Sequence, residues 1–275
     1  MYNLLWYFVI YAFLGWCSEV IFAAFKHRKF VNRGFLNGAF CPIYGFGVVF
    51  VVLCLTPLKF NFILLFIGSV ILTSALELIT GFLMEKIFNQ RWWDYSGRKF
   101  NIKGYICLEF SNLWGLACIV IMYLVHPLIA KLVSIIPKFI GIPVIIIFVT
   151  GIIVDAVYTI VCVNRMNKSL QKIDEFTKAM RALSDLIGDN LAEGTLNLIE
   201  KNETLKSEIK EKNKQNKQEL RQKLEELRIK KELLINRPRY SKRFLKAFPS
   251  LRHLKYSEAF EEVKEKIKEY KTKKK

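Results

Sequence analysis

Residues 61–98 read NFILLFIGSVILTSALELITGFLMEKIFNQRWWDYSGR. From residue 62 to residue 88 the run is long enough to cross a bilayer, since about 20 apolar residues at roughly 1.5 Å rise span the hydrocarbon. Yet Glu77 lies inside it. Ser74, Glu77, Gly81 and Glu85 recur at three- and four-residue spacing, so one stripe of the helix is polar while its other faces are Ile, Leu and Phe. That stripe is expected to face protein or water rather than lipid.

Four further apolar runs are arranged around this one. Residues 3–25 carry no Lys or Arg, so they lack the basic start of a signal peptide and read as a retained membrane helix, with Tyr11, Gly15, Ser18 and Glu19 on one face. Residues 40–57 begin at Cys41-Pro42, where proline suits a first helical turn. Gly34, Gly38, Gly45 and Gly47 flank that entry and allow two forms, a simple short helix or a re-entrant bend near residues 33–47. Residues 105–129 carry Glu109 early and His126-Pro127 late, and residues 139–163 carry Asp155.

Loops with four and five cations, then a basic tail, alternate with ends holding none, one and two. By the positive-inside rule the amino terminus is outside and the basic loops and carboxyl terminus are cytoplasmic. The expected fold is therefore all-α: a polytopic membrane helix bundle of about five spans over residues 1–163, followed by a basic cytoplasmic helical tail over residues 164–275. The tail starts as an amphipathic helix expected to break near Gly188-Asp189-Asn190. It continues with a marginal coiled-coil-like seam at Leu220, Leu224, Leu227 and Leu234, and a stop at Arg237-Pro238. Residues 239–256 interleave Arg and Lys with Tyr, Phe and Leu, a pattern suited to an anionic membrane face or to the loops of the bundle itself.

The formal net charge of +18 is concentrated in the tail. Attached to a membrane domain, such a tail points to anionic lipid headgroups or a plain solvated surface rather than nucleic acid. The six cysteines form no C-x-x-C pair, which excludes a disulfide or zinc framework. His27, His126 and His253 are far apart in the chain, so no metal site is expected and no cofactor is implied.

The sharpest chemical signal is a set of intramembrane acids: Glu19, Glu77, Glu109 and Asp155. With the orientation above, all four fall in the cytoplasmic half of the membrane. A carboxylate at a helix centre costs about 2.5 to 3.5 kcal/mol even on the lenient insertion scale, so each needs a partner or a proton. Two readings stand. The acids line a polar pathway for a cationic substrate, an ion or a proton, or Arg33, Arg91, Arg98 and Lys103 fold back and close them off. Arg33, Arg91, Trp92, Trp93, Asp94 and Arg98 form the expected cytoplasmic rim, in contact with lipid or a partner protein, beside the alternative of an interfacial aromatic belt. No G-x-x-x-x-G-K-[ST], H-E-x-x-H or G-x-S-x-G occurs, so the chain carries no recognisable catalytic motif.

The segments FLGWCSEV (13–20), VNRGFLNGAFCPIYGFG (31–47), LELITGFLMEKIF (76–88), QRWWDYS (90–96) and GYICLEFSNLWG (104–115) resemble the putative ABC-transporter type IV permeases, also called CmpB-like. The likeness covers roughly residues 1–160 and departs at Gly38-Ala39, where the family is expected to carry Gly-Pro. It implies a multi-span permease served by a separate ATPase subunit, and leaves open a homo-oligomer. The alternative is a non-transporting membrane scaffold that recruits partners through its helical tail.

Overall fold

The computed structural model describes residues 1–200, 203–236 and 239–272. Its helices are α1 Tyr2–His27, α2 Pro42–Leu55, α3 Phe62–Phe88, α4 Leu108–Val120, α5 His126–Ile135, α6 Lys138–Glu200, α7 Glu203–Asn236, α8 Arg239–Ala247 and α9 Ser257–Thr272. Only two-residue strands accompany them: β1 Gln90–Arg91 pairs antiparallel with β4 Arg252–His253, and β2 Asn101–Ile102 with β3 Ile106–Cys107. The all-α membrane bundle read from the sequence is what the chain forms. Two compact units are present: residues 1–164 with 243–254, and residues 165–242 with 255–275.

In the first unit, four helices are long and apolar enough to cross a membrane: Tyr2–Lys26, Phe62–Phe88, Leu108–Ile135 and the apolar part of Lys138–Ile187. Their outward faces are apolar. Only 11% of the span window of α3 is buried, with Ile63, Ile67, Ile71, Phe82 and Ile87 all exposed, a surface suited to acyl chains. The interior is formed by Trp6, Tyr11, Val51, Leu65, Met122 and Val133, one or more from each of the elements around it.

The second apolar run is different. It forms a shorter helix, Pro42–Leu58 including a terminal 3₁₀ turn, about 25 Å long and short of the roughly 30 Å of hydrocarbon. The reason lies just before it. Arg28, at φ 50, closes α1 by donating its backbone N–H to the Ala24 carbonyl. Residues 29–41 then run back beside α1 without becoming helical. Asn32 reaches Trp16, and the Cys41 N–H donates to the Ala12 carbonyl at 2.9 Å, roughly four turns, about 22 Å, back from the end of α1. Of the two forms open near residues 33–47, residues 42–47 are helical, and the irregular backbone is a non-helical return over 29–41, after which α2 starts at mid-depth.

Other boundaries have local causes. Asn61 caps α3, its Oδ1 accepting from the backbone N–H of Ile63 and Leu64. Asn89, at φ 54, ends it. A π turn, Ile121–Val125, precedes His126-Pro127; it absorbs the proline, which has no N–H to continue the ladder. The break expected near Gly188 does not occur, because α6 runs through to Glu200. One glycine costs only about 1 kcal/mol in a helix, and Leu186, Leu191 and Ala192 nearby are good helix formers. The stop expected at Arg237-Pro238 lies outside the described residues.

In the second unit, Leu170, Ile173, Phe260, Val263 and Ile267 are buried, and the seam leucines Leu220, Leu224, Leu227 and Leu234 are half-buried. Lys231 pairs with Glu262 at 2.8 Å and Arg181 with Glu258 at 3.0 Å, joining α7 and α6 to α9.

The α1–α2 contact depends on glycine. A Cβ on Gly45 would stand 2.6 Å from the Phe8 backbone oxygen, whereas one on Gly47 would meet nothing. Gly45→Val is expected to destabilise the bundle by about 1–3 kcal/mol, read as a melting temperature in detergent lowered by several degrees, with Gly47→Val close to the parent.

Candidate functional site

The polar stripe of α3 faces protein along its whole length. The Ser74 hydroxyl donates to the Ser111 hydroxyl of α4 at 2.8 Å, and Gly81 lies against the Tyr105 and Trp93 rings. Glu85 accepts from Arg91 at 2.9 Å. Between these, Glu77 accepts a hydrogen bond from the Tyr95 hydroxyl at 3.1 Å through Oε1. Its Oε2 is buried and has no hydrogen-bond partner among the described residues.

The other acids are closed by different means. Glu19 accepts from the Tyr44 hydroxyl at 2.7 Å, and Arg33 Nε stands 3.4 Å from its second oxygen. Asp155 takes the re-entrant backbone: Oδ1 accepts from the Asn37 N–H at 3.2 Å and from Asn37 Nδ2 at 2.8 Å, while Oδ2 accepts from the Gly38 N–H at 2.7 Å. Thr159, one turn on, receives a further bond from Asn37 Nδ2. Glu109 is an exposed residue paired with exposed Arg98 at 3.1 Å, a surface ion pair worth little. The four acids therefore do not converge on one point. Arg33, Arg91 and Arg98 each hold a carboxylate, but Arg91 takes Glu85 and Asp94 rather than Glu77.

Glu19 and Glu77 are nonetheless parts of one arrangement. The Tyr44 ring rests edge-on against Trp114, with centroids 5.8 Å apart, and the Tyr95 ring stacks on Phe110 at 4.9 Å. Trp114 and Phe110 are four apart on α4, hence on one face. The order Glu19, Tyr44, Trp114, Phe110, Tyr95, Glu77 is a continuous polar and aromatic row across the bundle. Burial raises the Tyr95 pKa well above its ordinary value, with Glu77 and, more weakly, Glu19 adding to it, so Tyr95 stays a neutral donor. Tyr44, Trp114 and Phe110 were not singled out in the sequence. Tyr95 was visible there only as the phenol of RWWDYS.

Local chemistry fixes the loop that carries Tyr95. Gly104, at φ +74, lies so close to Asp94 that a Cβ would come within 2.7 Å of Oδ1. Asp94 also accepts from Ser96 and pairs with Arg91 and Arg252. Burial disfavours its charge, but Ser96, Arg91 and Arg252 together hold its pKa below the ordinary value. The hydrogen bond that Arg91 donates to Glu85 is the chief cause raising the Arg91 pKa. Trp93 donates from Nε1 to the Tyr105 carbonyl at 2.9 Å. Trp92 is buried among Phe35, Phe244 and Phe248, so its ring is covered by protein rather than lipid.

The family model described as Putative ABC-transporter type IV matches residues 6–160. No curated protein and no solved structure matches the chain significantly.

Asp155→Ala removes the acceptor for two backbone N–H groups, and hydrogen bonds to a charged group contribute about 1.5–3 kcal/mol each when buried, less here because the site is partly exposed. Amide hydrogen exchange at Asn37 and Gly38 is expected to accelerate at least about tenfold, with Asp155→Asn intermediate. Asp94 has a depressed folded pKa, so its contribution is present above the ordinary value of 3.8 and is lost as pH falls through the lower folded value. Asp94→Asn is accordingly expected to lower the melting temperature at pH 7, and that deficit should shrink below about pH 4.

Proposed function

Since the chain belongs to the Putative ABC-transporter type IV family, we propose that it is the membrane-spanning permease component of a transporter in the plasma membrane, driven by a separate ATPase subunit. The amino terminus is outside and the tail cytoplasmic, so Glu19, Glu77 and Asp155 belong to the inner half of the membrane. No G-x-x-x-x-G-K-[ST] occurs in these 275 residues, which assigns ATP hydrolysis to another polypeptide.

One observation carries the pathway: the buried Oε2 of Glu77, which no described residue satisfies. An ionised carboxylate in that setting is stable only when a cation or a proton completes it. Glu77 is thus the exchangeable position, and Tyr95 holds its other oxygen while the occupant changes. Asp155 supports the same reading indirectly, by holding irregular backbone at membrane depth, an arrangement tolerated where it is buried in protein or lines a polar cavity. A cationic group of the substrate or a coupling proton is the matching ligand chemistry. Lys99 and Lys103, exposed on either side of an exposed Phe100, are assigned to anionic headgroups.

The second reading, a scaffold that recruits partners by its tail, draws on the separate charged second unit. Purification in mild detergent separates the two, since a stoichiometric ATPase belongs to the permease alone. In vesicles reconstituted with that ATPase, Glu77→Gln is expected to lower transport at least tenfold, while basal ATP hydrolysis stays near the parent level. Undiminished transport in Glu77→Gln would remove the pathway assignment.

A further inference from the structure

The residues 243–254 lie in the chain far from the bundle, yet they belong to the first unit. What they touch there is specific. The Arg243 guanidinium, half-buried, donates to the backbone carbonyls of Gly34, Phe35 and Leu36, three successive residues of the re-entrant segment. Phe244, 2% exposed, and Phe248 pack edge-on against Trp92, with centroids 5.5 and 4.9 Å away. Ser250 donates to the Trp92 carbonyl at 3.4 Å, Arg252 pairs with Asp94, and His253 lies opposite Gln90 in the β1–β4 ladder. Leu251 is completely buried, and the Leu254 N–H donates to the Asn89 carbonyl.

These contacts fall on two loops and join them. One is the segment 29–41, which carries Arg33 to Glu19. The other is 89–105, which carries Tyr95 to Glu77. Apart from residues 243–254, the Phe35 and Trp92 rings also bridge them, with centroids 5.2 Å apart. All three bonds leave Nη2, so its two N–H groups are shared among the three carbonyls. Asp155 stabilises the Arg243 charge from a distance, but burial still lowers its pKa.

We propose that residues 243–254 are the closure of the acid site: docked, they hold the two loops together over Glu19 and Glu77, and undocked, they let water reach both carboxylates. Arg243 is the positioning residue of this closure, acting on the re-entrant backbone rather than on a ligand. The inference rests on the pathway reading for its use in transport, but the closure itself needs no transport to be observed.

Cys41 reports on it, being buried in the same re-entrant segment at 5% exposure. In a chain where Cys17, Cys54, Cys107, Cys118 and Cys162 are replaced by alanine, maleimide labelling of Cys41 is followed in lipid nanodiscs. Arg243→Ala and, separately, Phe248→Ala are expected to speed it at least about tenfold. A matching chain with Cys118 alone, buried in α4, should label no faster in either variant, whereas general loosening would expose both thiols. Where Arg243→Ala does not fold, Phe248→Ala carries the same criterion. Cys41 labelling at the parent rate, or Cys118 accelerating equally, would overturn the closure. Full transport in Glu77→Gln would instead sink the pathway reading and leave this result standing.

Discussion

The Asp155 carboxylate, accepting the backbone N–H groups of Asn37 and Gly38, is the interaction on which the arrangement of the bundle depends. Backbone that leaves a helix inside a membrane must find every hydrogen bond from protein, because lipid offers none. Residues 29–41 meet much of that demand with three side chains and one main-chain bond. Asn32 accepts from Trp16 and from the Gly34 N–H and donates to the Asn37 carbonyl. Asp155 accepts from the next two N–H groups, Arg243 donates to three carbonyls, and the Cys41 N–H uses the second lone pair of the Ala12 carbonyl. Once the return is held in this way, α2 has to begin at mid-depth, and its shortness follows from the return rather than from a lack of apolar residues.

Magnitudes separate the acids that are structural from the one that is not. A carboxylate at a helix centre costs about 2.5 to 3.5 kcal/mol, and a hydrogen bond to a charged group returns about 1.5 to 3. Asp155, with four donors on two oxygens, is fully offset. Glu19, with Tyr44 on one oxygen and Arg33 near the other, is offset as well. Glu109 is outside the question, because it is exposed. Glu77 has one neutral donor on one oxygen, and the deficit remains at the other. A helix does not keep such a residue for its own stability, since an apolar side chain there would be at least as favourable.

Much of this was legible in the sequence, and what was not had a common cause. The period of Ser74, Glu77, Gly81 and Glu85 gave the inward stripe, because helical geometry is local and a polar group in an apolar run has few places to go. The glycines of 33–47 marked the irregular entry, although the return begins earlier, at 29, where Arg28 adopts the left-handed conformation. Pairings such as Asp155 with Asn37 and Gly38, over a hundred residues apart, left no trace, for any loop amide could have served. Arg243 was hidden for the opposite reason: residues 239–256 suit a lipid surface and a protein surface equally in composition. The eight residues from Phe244 to Leu251, which bury an aromatic side chain at one end and an aliphatic one at the other, could be told apart from a membrane-surface helix only once Trp92 was seen beneath them.

The row from Glu19 to Glu77 gives these separate anchors a common consequence. Tyr44 is pinned where Gly15 leaves room, since a Cβ on Gly15 would stand 2.4 Å from the tyrosine. Tyr95 is set by a loop that Gly104 lets turn tightly around Asp94. Both rings then rest on one face of α4, against Trp114 and Phe110, so neither phenol can swing from its glutamate without disturbing a ring that its counterpart's support shares a helix with. Close-packed aromatics do not deform gradually; they hold or they shift together. Under the proposed pathway, an occupant at Glu77 would act on Tyr95 first and on α4 next, and through α4 on Tyr44 and Glu19, the residue that Arg33 and the re-entrant segment hold in place.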